Sequence, residues 1–320
     1  MQVCPLWATE IDGIAPQPYF AAVSRALEML AKLGSPVVAV DAEQIASLAR
    51  QHDGVAVYAT EKILDRYTIT RVIVDAGGNA RAYAGGAQPT LFERGWRLFT
   101  VRISNPTGTT AELDVASAFG TRGRMLPFSR SLAQRPYLMD TLNKAPVLEK
   151  MWLMSQTQDS TPPSGFIVEY RAIALYSRDR GKRRSYLGFG KREEGGPGSA
   201  TGALLYRRGV ALDFDCLPSR DVVLDFHDAE GRGCVASLTI KDKQDRVYPP
   251  QAMRIAPGMA FQPHIYREDG ETVRLPEGEY TIESRRGPEY LHGMQMVMIN
   301  EGHAAIDVKL KRWIDPGKWG

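Results

Sequence analysis

Five histidines, His52, His227, His264, His292 and His303, are the side chains best suited to bind a metal or carry a proton. None stands in an H-x-H, H-x-x-x-H or H-E-x-x-H pattern, the spacings that place two ligands on one element. They read as solvent-facing or singly hydrogen-bonded residues that could converge only through the fold. Asp213 and Asp215 flank Phe214 on one strand face, a geometry that could take Ca²⁺ with further oxygens. A polar strand edge at a domain junction is the preferred reading of that pair. The basic run Arg178 to Arg184 could grip a phosphate or polyanion through bidentate arginines. No aromatic platform interleaves it, so a solvated hairpin tip is the expectation and nucleic acid is not an expected partner.

Other chemistry is missing its signature. The glycine-rich stretch 195–198 has no Lys-Ser/Thr after it and opens no helix, so it does not cradle phosphate. No serine lies in G-x-S-x-G. Cys4, Cys216 and Cys234 make no C-x-x-C and no disulfide framework, and Cys216 and Cys234 read as buried free thiols. The aromatics Trp96, Trp152, Tyr170, Tyr176, Tyr248, Tyr266 and Tyr290 fall at strand spacing and read mostly as core. A subset could stack on sugar, so the alternative reading is an independent carbohydrate- or peptide-binding β-sandwich module.

The elements that must position these residues are mostly strands. Tyr19 to Leu33 places Phe20, Val23, Leu27 and Leu30 on one helical face, with Ala31 at its edge, between Pro18 and Gly34. A second helix is expected from Asp41 as N-cap, with Gln44 at the capping-box position, to about Gln51. Together they form a short helical hairpin over residues 1–54. From Lys62 the period becomes two. Tyr67 to Val74, Ala80 to Tyr83, Trp96 to Ile103, Ala111 to Val115, Met151 to Met154 and Gly165 to Tyr176 read as strands, with Asn105-Pro106-Thr107-Gly108 as a turn after which Ala111 to Val115 returns on the strand before it. Phe99, Val101 and Ile103 are expected to point inward, and Leu98, Thr100 and Arg102 outward. Residues 55–212 make one β-sandwich and 213–312 a second, with 313–320 as a linker. In the second, Pro276 and Gly278 turn the chain into a strand whose Tyr280 and Ile282 share an inward face. The predicted fold class is mainly β: two consecutive antiparallel β-sandwich domains with a short N-terminal helical hairpin.

At 320 residues the chain has room for about two domains. A net charge of +3 leaves no nucleic-acid footprint, and the apolar runs Val55–Ala59 and Met294–Ile299 are too short to span a bilayer. No basic region followed by an apolar core marks the N-terminus as a secretory signal.

The opening Val222 to Asp228, its Gly231/Gly233 turn and the run Leu275-Pro276-Glu277-Gly278-Glu279-Tyr280-Thr281-Ile282 resemble the transthyretin-like, carboxypeptidase-regulatory-like sandwich module. That resemblance implies a small sandwich packed beside an enzyme domain. Phe92 to Phe99, Glu169-Tyr170-Arg171, Leu175 to Asp179, Arg246 to Pro249, Arg286 to Tyr290 and the tail Leu310 to Gly320 are similar to the region preceding the catalytic domain of CehA/McbA-type metallohydrolases of the PHP superfamily. The resemblance implies an accessory region whose partner is a C-terminal catalytic domain of the same polypeptide. That domain would bring an Asp-x-His-x-His strand and its divalent metals. It implies an extracytoplasmic setting as well. No catalytic, cofactor-binding or metal-binding residue and no cofactor carries over to this chain. Trp313, Ile314 and Trp319 are expected to be apolar contacts for the catalytic domain, partly exposed in its absence.

Overall fold

The computed structural model describes residues 13–110, 113–117, 122–123, 152–157, 165–191, 209–251 and 262–315. Three helices open the chain: α1 (Pro16–Lys32), α2 (Ala39–Ala49) and α3 (Gly54–Asp65). Among the described residues eighteen strands follow, and the chain is mainly β. The first nine are β1 (Thr68–Val74), β2 (Ala80–Ala84), β3 (Thr90–Phe92), β4 (Gly95–Ser104), β5 (Leu113–Ser117), β6 (Arg122–Gly123), β7 (Leu153–Thr157), β8 (Val168–Ser177) and β9 (Gly181–Lys191). The second nine are β10 (Val210–Leu217), β11 (Ser219–His227), β12 (Val235–Asp242), β13 (Val247–Tyr248), β14 (Ile265–Glu268), β15 (Thr272–Pro276), β16 (Gly278–Arg285), β17 (Gly293–Ile299) and β18 (Ala305–Lys309).

α1 buries Tyr19, Phe20, Val23, Ala26 and Leu30, the face its spacing predicts, while Leu27 is only partly covered and Ala31 is exposed. α2 begins two residues before Asp41, which is no cap. Its carboxylate is buried and accepts from Arg66 Nη2 at 2.7 Å and from the Tyr67 hydroxyl at 2.5 Å. α3 extends the expected hairpin to three helices. Asp53 caps it by accepting the Ala56 N–H at 2.7 Å.

The strands β2-β1-β4-β8-β7-β6 form a six-stranded sheet, and β3-β10-β9-β5 a four-stranded one. Phe99, Val101, Ile103, Ile173 and Leu175 of the first pack against Leu187, Leu212 and Phe214 of the second. The opposite face of the six-stranded sheet is not solvated. Leu98, Tyr170, Ala172 and Ala174 pack beneath the helices, and Thr100 and Arg102 are buried beside them. Residues placed outward by alternation therefore lie in a core between sheet and helices, because a helical layer covers the face that alternation left polar.

Most strand pairs are antiparallel, but β1/β4, β3/β10, β6/β7 and β11/β18 run parallel. The turn at 105–108 does not return β5 onto β4. β5 crosses to the other sheet and pairs with β9. Residues 178–180 likewise close no hairpin, since β8 and β9 belong to different sheets. Pro218 alone separates β10 from β11, which opens the second half.

There, β15-β11-β18 forms a three-stranded sheet facing a five-stranded one made of β13-β12-β16-β17 with β14 on β12. Between them lie Val222, Leu224, Phe226, Leu238, Ile240, Leu275, Tyr280, Ile282 and Ile306. Tyr280 and Ile282 point inward as expected, and the Tyr280 hydroxyl donates to the Pro276 carbonyl at 2.7 Å. Phe92, from β3, joins this second core against Tyr248, with ring centroids 5.8 Å apart. Arg97 of β4 donates to the Tyr248 hydroxyl at 3.3 Å, so both halves meet at one aromatic residue. Cys216 and Cys234 are buried free thiols, and burial pushes both upward in pKa.

Candidate functional site

The residues after β18 are built to present an aromatic side chain. Arg312 bridges Tyr290, and the Leu291 N–H donates to the Lys311 carbonyl at 2.8 Å, so the tail lies against the 288–291 segment. Arg286 and Arg312 set their guanidinium groups 5.2 and 5.3 Å from the Tyr290 ring centre. Arg312 also donates to the Tyr290 hydroxyl at 3.0 Å and to Glu230 at 2.5 Å. Trp313 is held at two points: its backbone N–H donates to Glu289 at 3.0 Å and its indole Nε1 to Pro288 at 2.8 Å. Yet 61% of Trp313 is exposed, and Ile314 and Leu291 are also exposed. Trp319 lies outside the described residues.

A second apolar surface belongs to β17, an edge strand of the five-stranded sheet. Alternation puts Met294, Met296 and Met298 on the outer face, where Met296 is 70% exposed, while Ile299 enters the core. Opposite them on β16 stand Glu283, Thr281 and Glu279.

The histidines sort by environment. His52 is an exposed residue with φ of 53°. His292 Nε2 lies 3.8 Å from Glu283, and His303 pairs with Asn300 in a turn. His264 meets Tyr266 edge-on with centroids 5.3 Å apart. These two rings and Pro263 border a cavity of about 440 Å³ that also touches Ser237, Glu283 and Arg285. His227 alone gains metal-ligand neighbours: donor atoms of Asp225, His227 and Asp269 all lie within 4.8 Å of one another. No sequence motif links the three, because Asp269 arrives from the β14–β15 turn. The signal available was the Asp-Phe-His alternation of β11, which puts Asp225 and His227 on one face.

No protein-family model and no curated protein sequence matches the chain. Solved structures similar to it include the major pilin subunit BcpA of Bacillus cereus, 9% identical, covering 70% of this chain and 67% of that one, with a TM-score of 0.23. Domains 4–9 of the surface-layer protein SbsC are 10% identical over 72% of this chain and 33% of that one, with a TM-score of 0.25. Copper nitrite reductase from Nitrosomonas europaea is 10% identical over 72% and 93%, with a TM-score of 0.20. Scores of this size carry no argument about function.

The other sequence candidates are dispersed. Asp213 is an exposed ion-pair partner of Arg184, at 2.8 Å, while Phe214 between the two aspartates is buried. Arg94, Arg178, Arg180 and Arg183 line one open groove with Glu93 and Asp179. Asp179 offsets part of that charge, at 3.1 Å from Arg178 and 3.6 Å from Arg183. The glycine-rich stretch 195–198 lies outside the described residues. Among the described residues no helix is long and apolar enough to cross a membrane.

Proposed function

We propose that this chain is a non-catalytic accessory region that docks and presents a metal-dependent hydrolase domain of the PHP type. The observation that carries the reading is Trp313: anchored at its backbone and at its indole nitrogen, it still leaves most of its surface to solvent. An exposed aromatic fixed in one orientation loses little side-chain entropy when a partner covers it, and such residues dominate interface energetics. Ile314 and Leu291 extend the apolar contact, and the Arg286–Tyr290–Arg312 stack stiffens its base. The occupant is the catalytic domain that the CehA/McbA resemblance places after the tail.

The test joins this chain to that downstream domain. Acrylamide quenching of tryptophan emission should fall relative to the chain alone, and Trp313→Ala should remove the difference and lower metal-dependent turnover. A reading frame without Asp-x-His-x-His after Gly320, or turnover by this chain alone, would sink the proposal.

A second reading has its own observation. Tyr266 is 48% exposed at the rim of the 440 Å³ cavity, beside Glu283 and Arg285. An aromatic face next to hydrogen-bonding side chains suits a sugar ring. A glycan array with the wild-type chain and Tyr266→Ala would separate this reading from the first.

A further inference from the structure

The second sandwich carries a further constellation beside the docking surface: Asp225 and His227 line one open pocket with Leu291 and Arg312. On β11, Leu224 and Phe226 fill the core, so Asp225 and His227 project together from the outward face. Asp269 reaches them from the turn between β14, which pairs in the five-stranded sheet, and β15, which pairs in the three-stranded one. The chain changes sheets at this corner. A tetrahedral ion with bonds of about 2.0–2.1 Å holds its ligands roughly 3.3 Å apart. Donors already within 4.8 Å of one another need only small side-chain rotations to reach that spacing.

The donors are uncommitted. The Asp225 carboxylate makes no hydrogen bond or ion pair with any described residue. His227 Nδ1 is shut off from solvent and has no hydrogen-bond partner, a condition that buried polar atoms rarely keep. Asp269 spends Oδ1 on the Phe226 N–H, at 2.8 Å, and keeps Oδ2 open. Gly233 leaves space for that oxygen, since a Cβ there would fall 2.5 Å from Asp269 Oδ2. The neighbouring Asp228 is different. Its Oδ1 accepts the Glu230 and Arg232 N–H groups and its Oδ2 faces Arg232 Nε, which leaves no donor to spare. Asp307 sits opposite Asp225 on β18 and adds negative field, although its carboxylate is 3.7 Å from Lys309 Nζ.

The geometry points to a divalent first-row metal site, zinc in the first instance, formed by Asp225, His227 and Asp269. One imidazole with two carboxylates suits such an ion, whereas Ca²⁺ and Mg²⁺ favour oxygen-only shells. The ion pins the corner where the chain passes between sheets, with the fourth tetrahedral position left to water. Although the site borders the docking segment, zinc binding by this chain needs neither the downstream domain nor turnover.

The experiment titrates chelator-stripped chain with Zn²⁺ alone in a calorimeter and follows thermal unfolding in parallel. One equivalent should bind and raise Tm. His227→Gln and Asp225→Asn should each weaken binding at least tenfold, while His303→Gln should leave it unchanged. Asp225 holds no other described residue, so loss in that variant cannot be ascribed to misfolding. No saturable zinc binding, affinity retained in both variants, or equal binding of Ca²⁺ that ignores His227→Gln would overturn the site.

Discussion

Removing the Glu61 carboxylate should destabilise the first half of the protein by about 3–5 kcal/mol, the usual cost of stranding the partner of a buried ion pair. Glu61 and Arg102 are 5% and 3% exposed, and Arg102 Nε donates to Glu61 Oε2 at 2.6 Å. The other oxygen, Oε1, accepts the Tyr170 hydroxyl at 2.6 Å, and Tyr19 follows at 3.5 Å. The network therefore joins α3, β4, β8 and α1, and holds the helical layer to the six-stranded sheet. Glu61→Ala leaves a guanidinium in a low-dielectric layer with its principal acceptor gone. With a urea slope of about 3 kcal/mol/M, the midpoint should fall by roughly 1–2 M. Replacing both charges by similar apolar volume, Glu61→Leu with Arg102→Met, should recover most of the loss, because the pair's desolvation cost disappears with it. Equilibrium urea unfolding followed by circular dichroism reads both variants. A midpoint shift below about 0.3 M for Glu61→Ala, or a double variant as unstable as the single, would refute the assignment of a buried, mutually dependent pair.

Ile282→Ala should cost about 2–5 kcal/mol in chemical denaturation, since Ile282 is 1% exposed in the second core; a loss near zero would contradict its placement. Gly95→Ala would put a Cβ 1.7 Å from the Phe92 ring, so Tm should fall with a cost of about 1–3 kcal/mol, and an unchanged melt would show that Phe92 can move aside. Burial and then the hydrogen bond to Asp41 push the Tyr67 hydroxyl from 10.0 up to about 12. Its folded pKa is raised, so this contribution is complete below pH 10 and drains away between 10 and 12 as the unfolded chain ionises first. Tyr67→Phe should flatten the fall in that window, which a pH series of urea midpoints would detect. Trp313→Ala should leave the stability of this chain within about 0.5 kcal/mol of wild type, because the side chain it removes is mostly exposed.

The second sandwich was readable because its strands have one wet face. Alternation in β16 put Tyr280 and Ile282 inside, and the structure agrees. The same rule misplaced Arg102, since alternation marks two faces of a strand but does not say that both are covered. α3 was missed because Val55, Val57, Tyr58 and Thr60 look strand-like by composition. Asp53 before Gly54, and the spacing of Ala56, Val57, Thr60, Ile63 and Leu64, were the helical evidence. The return of β5 was misassigned because turn residues say where the chain bends and not which sheet it joins. Asp225 with His227 was visible as a one-face pair on β11, but Asp269 enters through tertiary structure alone.

Phe92 lies early in the chain and completes a core whose other members come much later. Its ring partner Tyr248 is 156 residues downstream (248 − 92), and β3 cannot find its own neighbour β10 until residue 217 has been made. At about 5–20 residues per second, Phe92 waits roughly 8–30 seconds on a translating ribosome before that pocket exists. During that interval the Phe92 ring has no core to enter, and an uncovered aromatic of this kind is the surface chaperones bind. The two halves are thus coupled in time as well as in space: β3 pairs once β10 is made, but the ring of Phe92 stays uncovered until the second half has emerged.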